Sequence, residues 1–406
     1  MAATSNLTDS GAPDSPDVPP LAEVEVSFVL PCLNEAETLG ACIEEIQVCI
    51  REHELSAEIV IADNGSTDES QEIARALGAR VIDVPQRGYG SALMGGFDTA
   101  AGRYLIMGDA DQSYDFGQVM PMIEALREGA DMVMGSRFDG RIEPGAMPFL
   151  HKYLGNPVLS FLGRVLFQTP ISDFHCGLRA LSRQVYREMG LRTAGMEFAT
   201  EMIAKAAARR LRIEQVPITL RPDGRSRPPH LQTWRDGWRH LRFMLTLSPR
   251  WTLFIPGSLL FSLGLLLMAV LGFGSFSLGA VTFDIHTMLV AGVFVLVGFQ
   301  AMATGIAARV FALEEEIGPP APWMTKSLEV VTLERGLIAG GLLIGLGLIL
   351  VGGEAWTWVF TGFSPLDVQV TLRPVVFGVV LLALGFQTLQ LSFLCSMLGI
   401  KRTRNY

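Results

Sequence analysis

An excess of positive charge is missing from this chain. Its 406 residues carry 32 Lys and Arg against 41 Asp and Glu, a net charge of −9, which argues against a broad nucleic-acid-binding face and leaves no nucleic-acid partner expected. Paired cysteines are missing as well. Cys32, Cys42, Cys49, Cys176 and Cys395 are odd in number and lack any paired metal-site spacing, so they read as reduced or buried thiols. His175 and Cys176 adjoin, but no partner at a recognisable spacing supports a nucleophilic Cys–His pair. Residues 1–23 lack the basic start and apolar core of a secretion signal. Their unpatterned mixture of Pro, Ser, Asp and Gly predicts a disordered leader. The glycines of Arg87-Gly88-Tyr89-Gly90-Ser91 lack the G-x-G-x-x-G spacing, because the next glycine is Gly95; read alone, they mark a tight turn.

Apolar residues make up 49% of the chain and are unevenly placed. From 24 to 220, short apolar runs alternate with helical patterns. Residues 24–30 read as a strand, and Leu39, Cys42, Ile43, Ile46 and Ile50 follow at helical spacing. Residues 58–62 are a second strand and 68–77 a second helix; 79–84, 104–107, 131–134 and 213–220 supply further strands. This alternation predicts an α/β fold whose mostly parallel sheet is covered by helices. Ligands of such sheets bind beyond the carboxyl ends of the strands.

Polar residues gather at those ends. Pro31-Cys32-Leu33-Asn34-Glu35 follows the first strand and Asp63-Asn64-Gly65-Ser66-Thr67-Asp68 the second. Ser66, Thr67 and Asp68 fit a helix cap, which leaves Asp63 as the better ligand for a ribose or base. Asp109-Ala110-Asp111 closes the run Tyr104-Leu105-Ile106-Met107-Gly108. A strand turns alternate side chains to one face, so both carboxylates are able to share a hard cation such as Mg²⁺, whose shell phosphate and water complete. A plain turn after a strand is the competing reading.

Taken in order, residues 31–35, 63–68 and 88–90, the pair Asp109 and Asp111, Gly135-Ser136-Arg137, residues 173–179, Val216-Pro217-Ile218 and residues 221–227 form a specific set. The set resembles family 2 glycosyltransferases with a GT-A, Rossmann-like catalytic domain, and among them the polyprenyl-phosphate glycosyltransferases related to dolichol-phosphate mannose synthase. The resemblance implies that Pro31, Asn34, Glu35, Asp63, Gly88, Gly90 and Asp109 surround the nucleotide, with Asp109 and Asp111 at a Mg²⁺ or Mn²⁺ ion and the pyrophosphate. It places Arg137 before the acceptor phosphate, Asp111 and Arg137 being the catalytic pair, and makes Arg221, Arg225 and Arg227 a mobile basic loop. Lys152, Asn156, Asp173, Arg179 and Glu197 complete the acceptor and pyrophosphate side. Members often carry Arg-x-x-x-Ser in the acceptor loop, where this chain has Lys152-Tyr153-Leu154-Gly155-Asn156; one positive charge stays and the two-pronged geometry goes. Glu197 and Glu201, four apart, share a helix face, and acidic residues favouring a helix start account for them equally well.

The implied reaction is inverting transfer of a hexose, from UDP-glucose ahead of GDP-mannose, to undecaprenyl or dolichyl phosphate. Such an acceptor is anionic at neutral pH and needs no general base. A processive synthase acting on a glycan or glycolipid hydroxyl is expected to carry Glu-Asp and Gln-x-x-Arg-Trp; here Glu201-Met202 and Gln232-Thr233-Trp234-Arg235-Asp236 fail at the last residue. A non-catalytic nucleotide-sugar-binding adaptor is the second alternative, and Asp109, Asp111 and Arg137 argue against it.

Beyond the catalytic domain at 24–230, residues 231–250 interleave Trp234, Trp238 and Trp251 just beyond with Arg235, Arg239, His240 and Arg242, the pattern of an amphipathic helix at the headgroup level. The transmembrane domain, 251–406, holds four apolar stretches near 251–273, 285–313, 337–351 and 374–400, the third of them short for a span unless its flanks contribute. Arg250, Arg309, Lys326, Arg335, Lys401, Arg402 and Arg404 flank one side, whereas the opposite loops carry only Arg373. The positive-inside rule then predicts a multi-pass membrane protein with its catalytic domain in the cytoplasm, among membrane lipids; a homo-oligomer is compatible with this reading. Gly336, Gly340, Gly341, Gly345 and Gly347 permit close helix packing, and Gln300 and Thr304 are expected to face a bundle interior if that helix is buried.

Overall fold

The computed structural model describes residues 24–226, 233–314 and 332–398. The leader at 1–23, Arg227, and the flanking charges Lys326, Lys401, Arg402 and Arg404 lie outside the described residues. Val26–Cys32 (β1), Ala57–Asp63 (β2), Arg80–Asp83 (β3), Tyr104–Met107 (β4), Met132–Ile142 (β5), Arg179–Ser182 (β6) and Ile213–Leu220 (β7) form one sheet in the order β3-β2-β1-β4-β6-β5-β7. β1 runs parallel to β2 and β4, β2 to β3, and β5 to β7. β6 alone is antiparallel to its neighbours β4 and β5. Sequence pattern had not marked β6, which is four residues long and follows a polar, glycine-containing loop.

Alternation along β1 explains the two layers of packing. Val26, Phe28 and Leu30 point to one face, where Leu39, Cys42, Ile43 and Ile46 of Leu39–Glu52 (α1) meet Met122, Ile123 and Leu126 of Met120–Arg127 (α4). Val29 points to the other, against Leu93 and Phe97 of Tyr89–Thr99 (α3) and Phe198, Met202 and Ile203 of Phe198–Ala208 (α7). Side chains buried this completely contribute about 1.5–3 kcal/mol each. Ser70–Ala76 (α2), Asn156–Phe167 (α5), Arg183–Met189 (α6) and Thr233–Thr246 (α8) complete the domain. Because β1, β2 and β4 run the same way, their carboxyl ends open together, and the loops that follow them share one rim.

After α8 a π-helical turn, Arg250–Phe254, leads into Ile255–Gly272, the first of four helices among the described residues that are long and apolar enough to cross a membrane. The others are Ile285–Glu314, Leu333–Phe360 and Val368–Leu398. The third has 28 residues, about 42 Å at 1.5 Å per residue, so the flanks of the short apolar stretch do contribute. Third and fourth helices meet backbone to backbone: a Cβ at Gly340 would lie 2.9 Å from the Gly385 carbonyl oxygen, and one at Gly347 2.7 Å from that of Gly378. Gly341 and Gly345 face open space instead. Gln300 and Thr304 are exposed, against expectation; the Thr304 hydroxyl donates to the Gln300 carbonyl one turn back, at 2.8 Å, and needs no partner helix.

Candidate active site

Asp63 ends β2, is 1% exposed, and uses one carboxylate oxygen fully. Oδ2 accepts from the Gly65 and Ser66 amides at 3.0 Å and from Gln71 Nε2 at 2.8 Å, whereas Oδ1 is buried with no hydrogen-bond partner. A buried acceptor without a donor costs roughly 1–3 kcal/mol and marks a place for a ligand N–H or O–H. Asp68 holds the neighbouring loops together, accepting from the Ser70 hydroxyl at 2.6 Å and the Ala36 amide at 3.1 Å. Asn34, in the left-handed region at φ 58°, accepts from the Thr67 amide at 2.7 Å. The β1 and β2 loops are thus one unit, with Pro31 in β1 and Glu35 buried beside them.

The β4 loop brings the two aspartates to the same rim. Tyr89 donates its hydroxyl to Asp109 Oδ1 at 3.0 Å, and Ser113 donates its amide and hydroxyl to Asp111 Oδ1 at 3.0 and 2.5 Å. Burial, with the nearby Asp111 carboxylate adding, pushes the Asp109 carboxyl up to about 7. Two crowded carboxylates, one carrying an oxygen without a donor among the described residues, suit a hard divalent cation completed by phosphate and water. No fuller cluster of His, Cys, Asp and Glu exists among the described residues.

Arg225 occupies this acidic rim. Its Nη2 lies 2.5 Å from Asp111 Oδ2 and its Nη1 3.2 Å from Glu35 Oε1, and the Gly224 amide donates to the Asp111 carbonyl at 3.0 Å. A Cβ at Gly224 would stand 2.0 Å from Gln112 Oε1, so glycine lets the arm lie flat. Ser226 is fastened by its amide and hydroxyl to Glu37 at 2.8 and 2.6 Å. Arg221 is placed otherwise than expected: it pairs with Asp115 at 2.5 Å and Glu45 at 3.0 Å, anchoring the base of the arm.

Arg137 and Asp173 form a buried two-pronged pair, Nε to Oδ2 and Nη2 to Oδ1 both at 2.7 Å. Asp173 is 0% exposed and Arg137 8%. Burial opposes the Arg137 charge, and Asp173 outweighs it, holding the guanidinium ionised. Nη1 has no acceptor among the described residues. Both carboxylate oxygens of Asp173 are thus committed to Arg137. Arg179, expected on the pyrophosphate side, is fully buried and donates to the carbonyls of Cys176, Phe174 and Ala199 at 2.8, 2.9 and 2.5 Å. It braces the loop before β6. Gly88 and Gly90 likewise serve the fold, since a Cβ at either would strike the Ala194 or Thr193 carbonyl at 2.2 or 2.1 Å.

Glu197, half-buried, precedes α7 and folds over Gly195. Glu201 is consumed by Lys205 at 2.8 Å and by the Arg192 and Thr193 donors. Lys152 lies in the π-helical turn His151–Gly155, 5.6 Å from the Tyr153 ring centre, and Asn156 opens α5 near Met147. Burial and then the Arg137 charge hold His151 below the usual imidazole range. One feature of the turn and α5 was missed in the sequence. Phe149, Tyr153, Leu154, Val158 and Phe161 are 46–78% exposed at helical spacing, a signal that the spacing itself carried. α8 packs on α5 and exposes Trp234 and Trp238.

Comparison of the sequence with known proteins places the chain in a family. The family model described as "Glycosyl transferase family 2" matches residues 27–190, and "Glycosyltransferase family 2 C-terminal transmembrane region" matches 306–399. The low-salt glycan biosynthesis hexosyltransferase Agl6 of Haloferax volcanii is 39% identical over 375 residues, 92% of this chain and 89% of that protein. A dolichyl-phosphate hexose transferase of the same organism is 28% identical over 48% of this chain and 83% of its own length. Among solved structures, glucosyl-3-phosphoglycerate synthase from Mycobacterium tuberculosis, in complex with Mn²⁺, UDP and glucosyl-3-phosphoglycerate, is 24% identical with a TM-score of 0.43, covering 55% of this chain and 78% of that one. With an α/β catalytic domain of GT-A type, four membrane-capable helices and a relative similar along nearly its whole length, the chain belongs to the family 2 glycosyltransferases that carry a C-terminal transmembrane region.

Proposed function

We propose that this enzyme transfers a hexose from a nucleotide sugar, UDP-glucose ahead of GDP-mannose, to a polyprenyl phosphate at the cytoplasmic leaflet, with inversion at the anomeric carbon. The observation that carries the reading is one of placement: Asp109, Asp111 and the Arg225 arm share a rim on a domain whose α5 and α8 turn apolar faces outward beside the first span. The names of the hexosyltransferase and dolichyl-phosphate hexose transferase relatives support it.

Asp109 and Asp111 would hold Mg²⁺ or Mn²⁺, which supplies charge neutralisation on the departing nucleoside diphosphate. The free Oδ1 of Asp63 accepts from an N–H of the base, a contact that uracil and guanine both satisfy. Arg225 exchanges Asp111 for the pyrophosphate when the donor enters, and Glu35 keeps the arm close. Asp173 occupies Nε and Nη2 of Arg137, leaving Nη1 for the acceptor phosphate, with Lys152 and Asn156 on the approach from the membrane. No base is needed, because a phosphate monoester is already anionic. Asp173 and Glu201, two of the acids a hydroxyl acceptor would call on, are engaged in buried ion pairs. Arg250, Arg309 and Arg335 lie at span ends on the side of the catalytic domain, which favours a cytoplasmic active site.

The test is incubation of the purified enzyme with undecaprenyl or dolichyl phosphate, Mg²⁺ or Mn²⁺ and a panel of nucleotide sugars, with lipids read by mass spectrometry. One hexose added per lipid phosphate, lost in Asp111→Asn and on chelation, is the expected result. Transfer to a glycan or sphingolipid hydroxyl instead would overturn it and turn attention to Glu197.

A further inference from the structure

Arg309 stands out among the charges that flank the spans. It lies in the last turn and a half of Ile285–Glu314, at the end that returns to the side of the catalytic domain, because the first and second spans run antiparallel. A flanking arginine ordinarily snorkels, keeping its head in water. Arg309 is only 8% exposed, and no carboxylate, carbonyl or hydroxyl among the described residues accepts a hydrogen bond from it. A guanidinium so nearly enclosed beside an apolar span, with no partner among the described residues, costs free energy, which an anion reaching it from outside the chain would relieve.

Its surroundings narrow the choice. Gly305, one turn earlier on the same helix face, packs against the start of the first span: a Cβ there would lie 3.3 Å from both Leu253 Cβ and the Phe254 amide nitrogen. Just before that span stands Ser248, whose carbonyl accepts the Trp251 and Thr252 amides and whose side chain is buried with an Oγ lacking a hydrogen-bond partner among the described residues. The same junction carries the exposed Arg250 stacked at 5.9 Å on Trp251, and it follows α8 with its exposed tryptophans. Tryptophan and arginine at a span end mark the headgroup level, where the anions are lipid phosphates. A guanidinium binds phosphate oxygens in pairs, and a serine hydroxyl adds one donor.

We propose that Arg309, with Ser248, binds the phosphate of an anionic lipid at the membrane face beneath the catalytic domain. The lipid is either the polyprenyl phosphate on its way to Arg137, in which case the site deepens the function proposed above and rests on it, or a bulk phospholipid that completes the fold there. His240 lies against His175, two residues from Asp173, with the ring centres 4.9 Å apart. Ser248 is eight residues further along the chain. The six helical steps from His240 to the end of α8 at Thr246 alone span about 9 Å, so the site holds lipid ahead of the reaction position and not in it.

The experiment is native mass spectrometry of the full-length protein in detergent, titrated separately with undecaprenyl phosphate and phosphatidylglycerol. Wild type is compared with Arg309→Gln, Arg309→Lys and Ser248→Ala, and UDP affinity reports that the catalytic domain is intact. Retention of one of the two lipids is expected to fall at least tenfold in Arg309→Gln, and less in Arg309→Lys, with UDP affinity unchanged. Loss confined to undecaprenyl phosphate identifies a loading site for the acceptor; loss confined to phosphatidylglycerol identifies a structural lipid. Wild-type retention of both lipids in Arg309→Gln overturns the proposal. Should that variant not accumulate, undiminished retention of both by Arg309→Lys, which loses the fork, overturns it equally. Lipid held through Arg309 by an enzyme that glycosylates no lipid would remove the proposed function and leave the site standing; lipid product with retention independent of Arg309 would do the reverse.

Discussion

Asp173 gives both carboxylate oxygens to Arg137 while fully buried, so neutralising it strands a cation. Breaking a buried pair from one side costs about 3–5 kcal/mol, and Asp173→Asn is expected to lower the midpoint of chemical denaturation accordingly while weakening acceptor use. Asp109 makes a prediction of opposite kind. Its carboxyl is pushed up to about 7, against about 3.9 in an unfolded chain. Between those values the folded chain holds a proton that the unfolded chain has lost, so the cation-free protein loses stability as pH rises from about 4 to about 7. Because a cation competes with that proton, the melting-temperature gain from Mn²⁺ should be small at pH 5.5 and grow through pH 8. Asp109→Asn should abolish that growth. The carboxylate pair was legible from its place just after an apolar run, although the strand ends at Met107 and the loop that follows, not a period of two, turns both aspartates to the rim. Arg179 was not: an arginine after Gly177-Leu178 reads the same whether solvated or buried, and the three carbonyls that bury it come from a loop and a helix that sequence does not bring together.

Elements show the same division. Six of the seven strands in the main sheet follow from apolar runs, whereas β6 is hidden by its brevity and by the motif before it. The apolar face from Phe149 to Phe161 was written in helical spacing and concealed by attention to Lys152. Glycine spacing on the third span told that backbones approach closely, but not which glycines do so, since that depends on the rotation of the helix against its partner. The structure separates them. Gly340→Leu would drive a side chain into Leu389 and the Gly385 carbonyl, overpacking worth about 1–3 kcal/mol, and its melting temperature in detergent should fall by several degrees. Gly341→Leu faces open space and should melt close to wild type. Equal losses in the two variants would contradict the helix pairing.

At the scale of the whole molecule, a catalytic domain and four spans are joined by a helix that packs on α5 and α7 and runs into the first span through a π-helical turn. On the function proposed, this joint would set a water-facing donor site and a lipid-facing approach in one chain, and a phosphate acceptor would account for a site rich in acid and arginine. Class and architecture were readable from the uneven spread of apolar residues and from strand-helix alternation; the commitment of Asp173, Glu201 and Arg221 to internal pairs was not, because ion pairs between distant elements leave no spacing. The central claim is that a lipid phosphate attacks the anomeric carbon in a single displacement. Nuclear magnetic resonance of the isolated lipid product, reading carbon–phosphorus coupling at the anomeric carbon and its configuration, tests this most directly. A β-hexosyl phosphodiester formed from an α-linked nucleotide sugar is the predicted result; an α-hexosyl phosphate, or a hexose bonded to a hydroxyl oxygen, would contradict the account.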